Sequence, residues 1–239
     1  MKDWDLKPAR DLGKPLGEQL RSLDRENGLM STGLHWAWWT LVRVYMGVFH
    51  RLTIHGRKHL PTRPPFVLIA NHASHLDALV LASPLSWWQR DRIFPIAAGD
   101  VFFETPMLTG FAAGLLNALP MWRKKCGPHA LKQLRRRLVE EPCGYILFPE
   151  GKRSRDGKML PFKPGLGMLV AGTDVPVVPC YLRGCMEALH PEKYWPQPAR
   201  ISLHVGEAMN FASVTNDREG WLEVAERAEA SVKRLGSEV

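Results

Sequence analysis

The chain has 239 residues, a formal net charge of +8 and 45% hydrophobic residues. That is enough for one core-forming domain with an appended segment, and it shows neither internal repeats nor low-complexity tracts. Four cysteines (Cys126, Cys143, Cys180 and Cys185) show no CxxC pair and no His/Cys zinc spacing, so they read as free thiols in a reducing compartment.

Along the chain, the first thirty residues carry six basic and six acidic side chains and no apolar stretch, so they read as a helix or loose leader and not as a signal peptide. Residues 33–51 read as a helix. Leu34, Trp38, Leu41, Tyr45, Val48 and Leu52 recur at steps of four and three, an apolar stripe. Thr40, Arg43, Gly47 and His50 lie on another face. Arg43 makes this a poor spanning helix, and its tryptophans suit an amphipathic helix lying in a membrane interface. After a proline-rich turn, Phe66 to Ala70 is a continuous apolar run, the mark of a buried strand. Then come a helix at 75–85, a strand at 92–98, a helix at 106–116 opening on a proline, and a short strand at 118–122. A basic helix at 128–139, a strand at 144–148, a short helix at 165–171 and strands at 175–182 and 201–205 follow. A helix over 217–235 ends the chain. This alternation predicts an α/β layered fold with a mostly parallel sheet flanked by helices. It divides the chain into an N-terminal helical, membrane-associating segment, 1–52, and an α/β domain, 53–239.

Charge is concentrated. Residues 121–165 hold twelve Lys/Arg against four acidic residues, and the remainder is balanced. The excess therefore marks a site or a face. Anionic lipid and a phosphorylated ligand are suitable partners. Nucleic acid is not, because no recognised nucleic-acid motif is present and the basic residues lack interleaved aromatics.

Two stretches carry the chemistry, and both follow strands, where sites gather in such sheets. In Asn71-His72-Ala73-Ser74-His75-Leu76-Asp77 a carboxylate follows a histidine by five residues. A histidine titrates near neutrality and can take a hydroxyl proton, and it works best when a carboxylate holds its other nitrogen. If the chain turns from strand to helix after His72, Asp77 falls about one turn along and can fold back. His75 is the rival base but lacks an acidic partner at that spacing. In Phe148-Pro149-Glu150-Gly151-Lys152-Arg153-Ser154, glycine lets backbone approach a ligand and arginine forks suit phosphate oxygens. Arg123 ends a third strand in the same way.

In order and spacing these residues resemble the glycerolipid acyltransferase family, whose best-known members are 1-acylglycerol-3-phosphate acyltransferases. The NH-x4-D block is matched by Asn71, His72 and Asp77, and the FPEG-x-R-S block by Phe148, Pro149, Glu150, Gly151, Arg153 and Ser154. A block ending in arginine is matched by Arg123, and a VP-x-VP strand by Val175, Pro176, Val178 and Pro179. Lys152 stands where many members have threonine, and Met121-Trp122-Arg123 is an unusual ending for its block. The resemblance implies a mixed sheet, His72 as general base and Asp77 as its orienting partner. It implies that Arg123, Glu150, Gly151 and Arg153 bind the glycerol-phosphate part of an acceptor, and that the fourth block helps line an acyl channel. Lys152 and Ser154 complete the expected acceptor set.

The expected function is transfer of a fatty acyl group from acyl-CoA or acyl carrier protein to the hydroxyl of a lysophospholipid, foremost 1-acylglycerol-3-phosphate. An amino-acid-derived lysolipid acceptor and a non-catalytic anionic-lipid-binding module are the alternatives. No metal or other cofactor is expected, because the thioester is already activated. No cysteine lies in either motif to form a covalent intermediate. The expected place is the cytoplasmic face of a membrane, held peripherally or monotopically.

Overall fold

The computed structural model describes residues 13–25, 29–122 and 128–238. Seven strands form one sheet: β1 (Thr53–His55), β2 (Phe66–Ala70), β3 (Ile93–Ala98), β4 (Leu119–Met121), β5 (Gly144–Leu147), β6 (Val177–Arg183) and β7 (Ser202–Val205). Their order is β1-β7-β6-β2-β5-β3-β4. Every neighbouring pair is parallel except β6 with β7. The helices are α1 (Leu16–Arg21), α2 (Leu29–Val48), α3 (Asp77–Ala82), α4 (Trp87–Arg90) and α5 (Gly99–Phe102), followed by α6 (Pro106–Gly114), α7 (Pro128–Glu140), α8 (Gly165–Val170), α9 (Cys185–Ala188) and α10 (Arg218–Ser237).

β2 is the centre of the sheet, and all five of its residues are buried. A strand covered on both faces must be apolar at every position, so the run Phe66 to Ala70 reads directly as this strand. Its side chains alternate between two cores. Phe66, Leu68 and Ala70 pack with Trp39, Val42 and Met46 of α2 and Val80 and Leu81 of α3. Val67 and Ile69 pack with Leu134 and Leu138 of α7, Leu169 of α8 and Val224 and Ala228 of α10. β2 lies between β5 and β6. The chain leaves β2 toward β3 on one side and later crosses from β5 to β6 on the other. A crevice therefore opens at the carboxyl end of β2, where strand order reverses.

Several elements depart from the sequence reading. β1 is a three-residue edge strand, too short for a periodicity signal. The helix expected from 75 starts at Asp77, because the preceding backbone N–H groups turn back to the Asp77 carboxylate. It ends at Ala82, just before Ser83-Pro84, where proline removes a donor. The stripe expected on α2 is split: Leu34, Leu41 and Val48 are exposed, as an outward-facing stripe requires, and Trp38, Tyr45 and Leu52 are partly covered, while Trp39, Val42 and Met46, outside the stripe, fill the core. A helix apolar on nearly every side gives periodicity no single face to select. Arg43 does not point to water: its guanidinium donates to the carbonyls of Ser83 at 3.1–3.2 Å and Leu85 at 3.0 Å.

Candidate active site

The site begins where β2 ends. The Asn71 side chain continues the ladder toward β6: its Nδ2 donates to the Leu182 carbonyl at 3.0 Å, and its Oδ1 accepts from the Leu182 N–H at 2.8 Å. One amide thus satisfies both polar groups of a strand residue and fixes the point at which the chain turns away.

His72 comes next and is held from four directions. Its Nδ1 lies 2.8 Å from Asp77 Oδ2. The Phe148 ring stacks on its ring at 4.1 Å between centroids and 16° between planes. Its backbone N–H donates to Glu150 Oε1 at 2.8 Å, and its carbonyl accepts from the Ser154 N–H at 2.8 Å. The second motif therefore supplies three of the four supports.

Asp77 is fully buried, and Oδ2 also accepts the N–H groups of Ala73 at 2.7 Å and Ser74 at 2.8 Å. Three N–H donors thus converge on one carboxylate oxygen. A carboxylate can only accept from Nδ1, so the imidazole carries its proton there. Nε2 keeps its lone pair and is the atom able to take a proton. The His72 side chain is 21% exposed, against 1% for Asp77. The base therefore reaches solvent while its partner does not, the order a base–orienter pair needs.

The Phe148–Ser154 loop wraps this pair. Glu150 is buried, and its second oxygen, Oε2, accepts the Leu160 N–H at 3.0 Å. Burial raises its pKa, against the pull of those two N–H groups. Both carboxylate oxygens are thus engaged by backbone, so Glu150 acts here as a brace between the two motifs. Gly151 has φ +72°, a left-handed conformation that suits glycine. The Lys163 side chain covers it so closely that an added Cβ would lie 2.8 Å from Nζ. Lys152 is exposed and Arg153 half-buried, and Arg153 Nη1 contacts His75 Nε2. Ser154 is buried, with its Oγ donating to Asp156 Oδ1 at 2.9 Å.

The structure thus brings together His72, Asp77, Glu150, Gly151, Lys152, Arg153 and Ser154. Arg123 lies outside the described residues. Of the VP-x-VP strand, Val178 packs in the α2–α3 core and Val175 in the opposite core. Sequence reasoning passed over Phe148 as the face on which His72 rests, and Lys163 as the cation over Gly151. Phe148 stood inside a quoted motif, but nothing in its spacing showed that its ring meets His72. A cavity of about 820 Å³ opens elsewhere, at the β1–β7 edge, and none of these residues lines it. Among the described residues no group of three or more His, Cys, Asp or Glu side chains could hold a metal ion.

Residues 51–183, more than half of the chain and including both motifs, match the family model described as Acyltransferase. The chain belongs to the acyltransferase family. This acyltransferase is 28% identical over 170 residues to the 1-acyl-sn-glycerol-3-phosphate acyltransferase alpha of Mus musculus, which covers 70% of this chain and 58% of that protein. It is 31% identical over 150 residues to the chloroplastic 1-acyl-sn-glycerol-3-phosphate acyltransferase BAT2 of Brassica napus, covering 61% of this chain and 40% of that protein. The acyltransferase thus spans about half the length of these relatives. In fold it matches the 1-acyl-sn-glycerophosphate acyltransferase PlsC of Thermotoga maritima, with TM-score 0.67 and 23% identity over 87% of this chain and 81% of that one.

Proposed function

We propose that this protein transfers a fatty acyl group from acyl-CoA or acyl carrier protein to the free hydroxyl of 1-acylglycerol-3-phosphate, giving phosphatidate. The observation that carries the proposal is the buried Asp77 carboxylate on His72 Nδ1. It leaves Nε2 as an oriented base at the end of β2, in a family of acyltransferases. The relatives named above supply the acceptor.

In the proposed step His72 Nε2 takes the acceptor's hydroxyl proton as the oxygen attacks the thioester carbonyl. The C–O ester bond forms, the C–S bond breaks, and the proton passes from the imidazolium to the departing thiolate. Asp77 stabilises the transient imidazolium and keeps its own charge. The described cysteines Cys143, Cys180 and Cys185 are buried, and burial pushes each thiol up. None is suited to be an acyl carrier. Arg153, Gly151 and Lys152 are proposed to receive the acceptor's phosphate, with Lys163 beside them and Arg123 added from the family resemblance; Ser154, whose N–H and Oγ–H are given to His72 and Asp156, would serve by shaping the loop. Glu150 serves that site by holding the loop.

The proposal places the protein at the cytoplasmic face of a membrane, where the acceptor resides. Attachment is proposed to be peripheral or monotopic; no helix among the described residues is long and apolar enough to cross a bilayer. The exposed apolar side of α2 supports that reading. The deciding experiment incubates the purified protein with a panel of lysolipids and both donor types and identifies products by mass spectrometry. Phosphatidate from 1-acylglycerol-3-phosphate is the expected product. Acylation of every lysolipid except that one would overturn the acceptor assignment.

A further inference from the structure

His75 is the second histidine of the first motif, and the proton transfer above does not use it. Its Nε2 meets Arg153 Nη1. A guanidinium nitrogen offers only hydrogens, so Arg153 donates and Nε2 accepts. The imidazole is therefore neutral, with its proton on Nδ1. Burial, then the charges of Arg153 and His72, hold its pKa down at about 4. The residue is exposed to solvent, which weakens the part due to burial; the guanidinium in contact with Nε2 still disfavours the imidazolium, because Nε2 cannot carry a proton and accept from Arg153 at once. The ring also meets Phe102 edge-on, at 6.2 Å and 80°.

An acidic residue at this position would also hold Arg153, but it would pair with the guanidinium and cancel the charge that a phosphate needs. A neutral acceptor orients the arginine and leaves its charge intact. A long side chain already tethered also loses less freedom when a ligand arrives. A guanidinium carries five N–H groups, and the bond to His75 takes one of them.

We propose that His75 is a positioning residue for acceptor recognition: a neutral acceptor that holds the Arg153 guanidinium beside the His72–Asp77 base, for a phosphate-bearing acceptor. This rests on the reading of Arg153 as an acceptor-binding residue. The test is steady-state kinetics of the full chain with acyl-CoA saturating, using 1-acylglycerol-3-phosphate and the same acylglycerol without phosphate, with a thermal melt of each variant. His75→Ala is expected to raise KM for the phosphate-bearing acceptor about tenfold, the size of one charge-assisted hydrogen bond. The change in kcat should be much smaller, and the phosphate-free acceptor should be little affected. His75→Gln, which keeps an acceptor at the same reach, should restore most of the loss, and His75→Glu should raise KM further. In the Arg153→Ala background His75→Ala should add nothing.

If Arg153→Ala raises the acceptor KM but His75→Ala does not, the positioning role is overturned and the acceptor site stands. If Arg153→Ala itself leaves that KM unchanged, the acceptor reading falls and this inference falls with it. A loss confined to kcat in His75→Ala would also overturn the positioning role. Should His75→Ala melt below the assay temperature, the contrast between His75→Gln and His75→Glu decides alone, and equal acceptor KM for the two would overturn the proposal.

Discussion

His72 has four supports, and they should not fail alike. His72→Ala removes the base together with its Asp77 and Phe148 contacts, but Asp77 Oδ2 keeps two backbone donors, so turnover should fall about 10²–10⁴-fold with a much smaller effect on the melting temperature. Asp77→Asn should cost both activity and stability. Oδ2 accepts two backbone N–H groups besides His72 Nδ1, and an amide oriented to keep them turns its NH₂ into the buried space around Oδ1, which has no hydrogen-bond partner. A buried unsatisfied group costs about 1–3 kcal/mol, which calorimetry will register. Glu150→Gln separates brace from ligand. Glutamine can keep the bond from His72 N–H but presents a donor to the Leu160 N–H, so kcat and stability should fall together with acceptor KM little changed. A selective rise in acceptor KM would instead make Glu150 a phosphate-site residue. His75 gives a pH signature. Its folded pKa of about 4 lies below the ordinary histidine value, so between about pH 6.5 and 4 the unfolded chain binds the extra proton and stability falls with pH. That contribution is fully present above pH 6.5 and lost as pH falls toward 4. Thermal melts of His75→Gln should therefore decline less steeply on acidification than those of wild type.

At the scale of elements, what was legible followed from how many faces each segment buries. β2 was legible because both its faces are covered, so Phe66 to Ala70 is apolar without interruption. The His72–Asp77 pair was legible because both residues stand in one short motif. The brace from Glu150 to His72 was not, since it joins residues 78 apart and depends on β2 and β5 lying side by side. α2 was legible as a helix with an outward apolar stripe, but not in its inward residues Trp39, Val42 and Met46, because a helix apolar on nearly every side hides which residues the core takes. The partners of Arg43 were not legible either, since they are carbonyls of the loop after α3, 40 and 42 residues away. Arg90 donates to the same Ser83 and Leu85 carbonyls at 2.7 and 3.1 Å and lies over the Trp39 ring at 4.6 Å. Together the two arginines fasten α2 and α4 to the loop that ends α3. Arg43→Ala should therefore lower the melting temperature by about 2–8 °C, as expected for a loss of about 1–2 kcal/mol in a chain of this size. Its effect on liposome binding should be small.

For the whole molecule, the proposed function asks which surface would meet a lipid acceptor, since no helix among the described residues is long and apolar enough to cross a bilayer. α2 cannot be treated as a detachable anchor, because Trp39, Val42 and Met46 belong to the same core as β2 and α3. Removing residues 1–52 would open that core and confuse binding with unfolding. The opposite side of α2 leaves Leu34, Leu41, Val44 and Val48 exposed, Val48 by 76%. Edge-on ring contacts join this helix to its neighbours: Trp36 meets Trp87 and Trp88 of α4, and Trp38 meets Phe111 of α6. Trp88 is 82% exposed and Met107 of α6 81%. Exposed apolar residues of three helices thus gather where tryptophan, which favours membrane interfaces, is densest. Burying one such side chain is worth about 1.5–3 kcal/mol, so Leu41→Ser with Val48→Ser should weaken liposome flotation at least about tenfold, and Trp88→Ala should weaken it further. These side chains lie outside the core, so the melting temperature should hardly move. Anionic lipid should strengthen flotation of both wild type and variant, because the basic 121–165 stretch adds attraction of about 1 kcal/mol for each Lys or Arg near the surface. Raised salt should reduce that part alone. If the folded triple variant floats as well as wild type on neutral liposomes, the α2–α4–α6 surface is not the membrane contact. If its flotation survives only on anionic liposomes and vanishes in high salt, the apolar surface has lost its share and the basic stretch holds what remains.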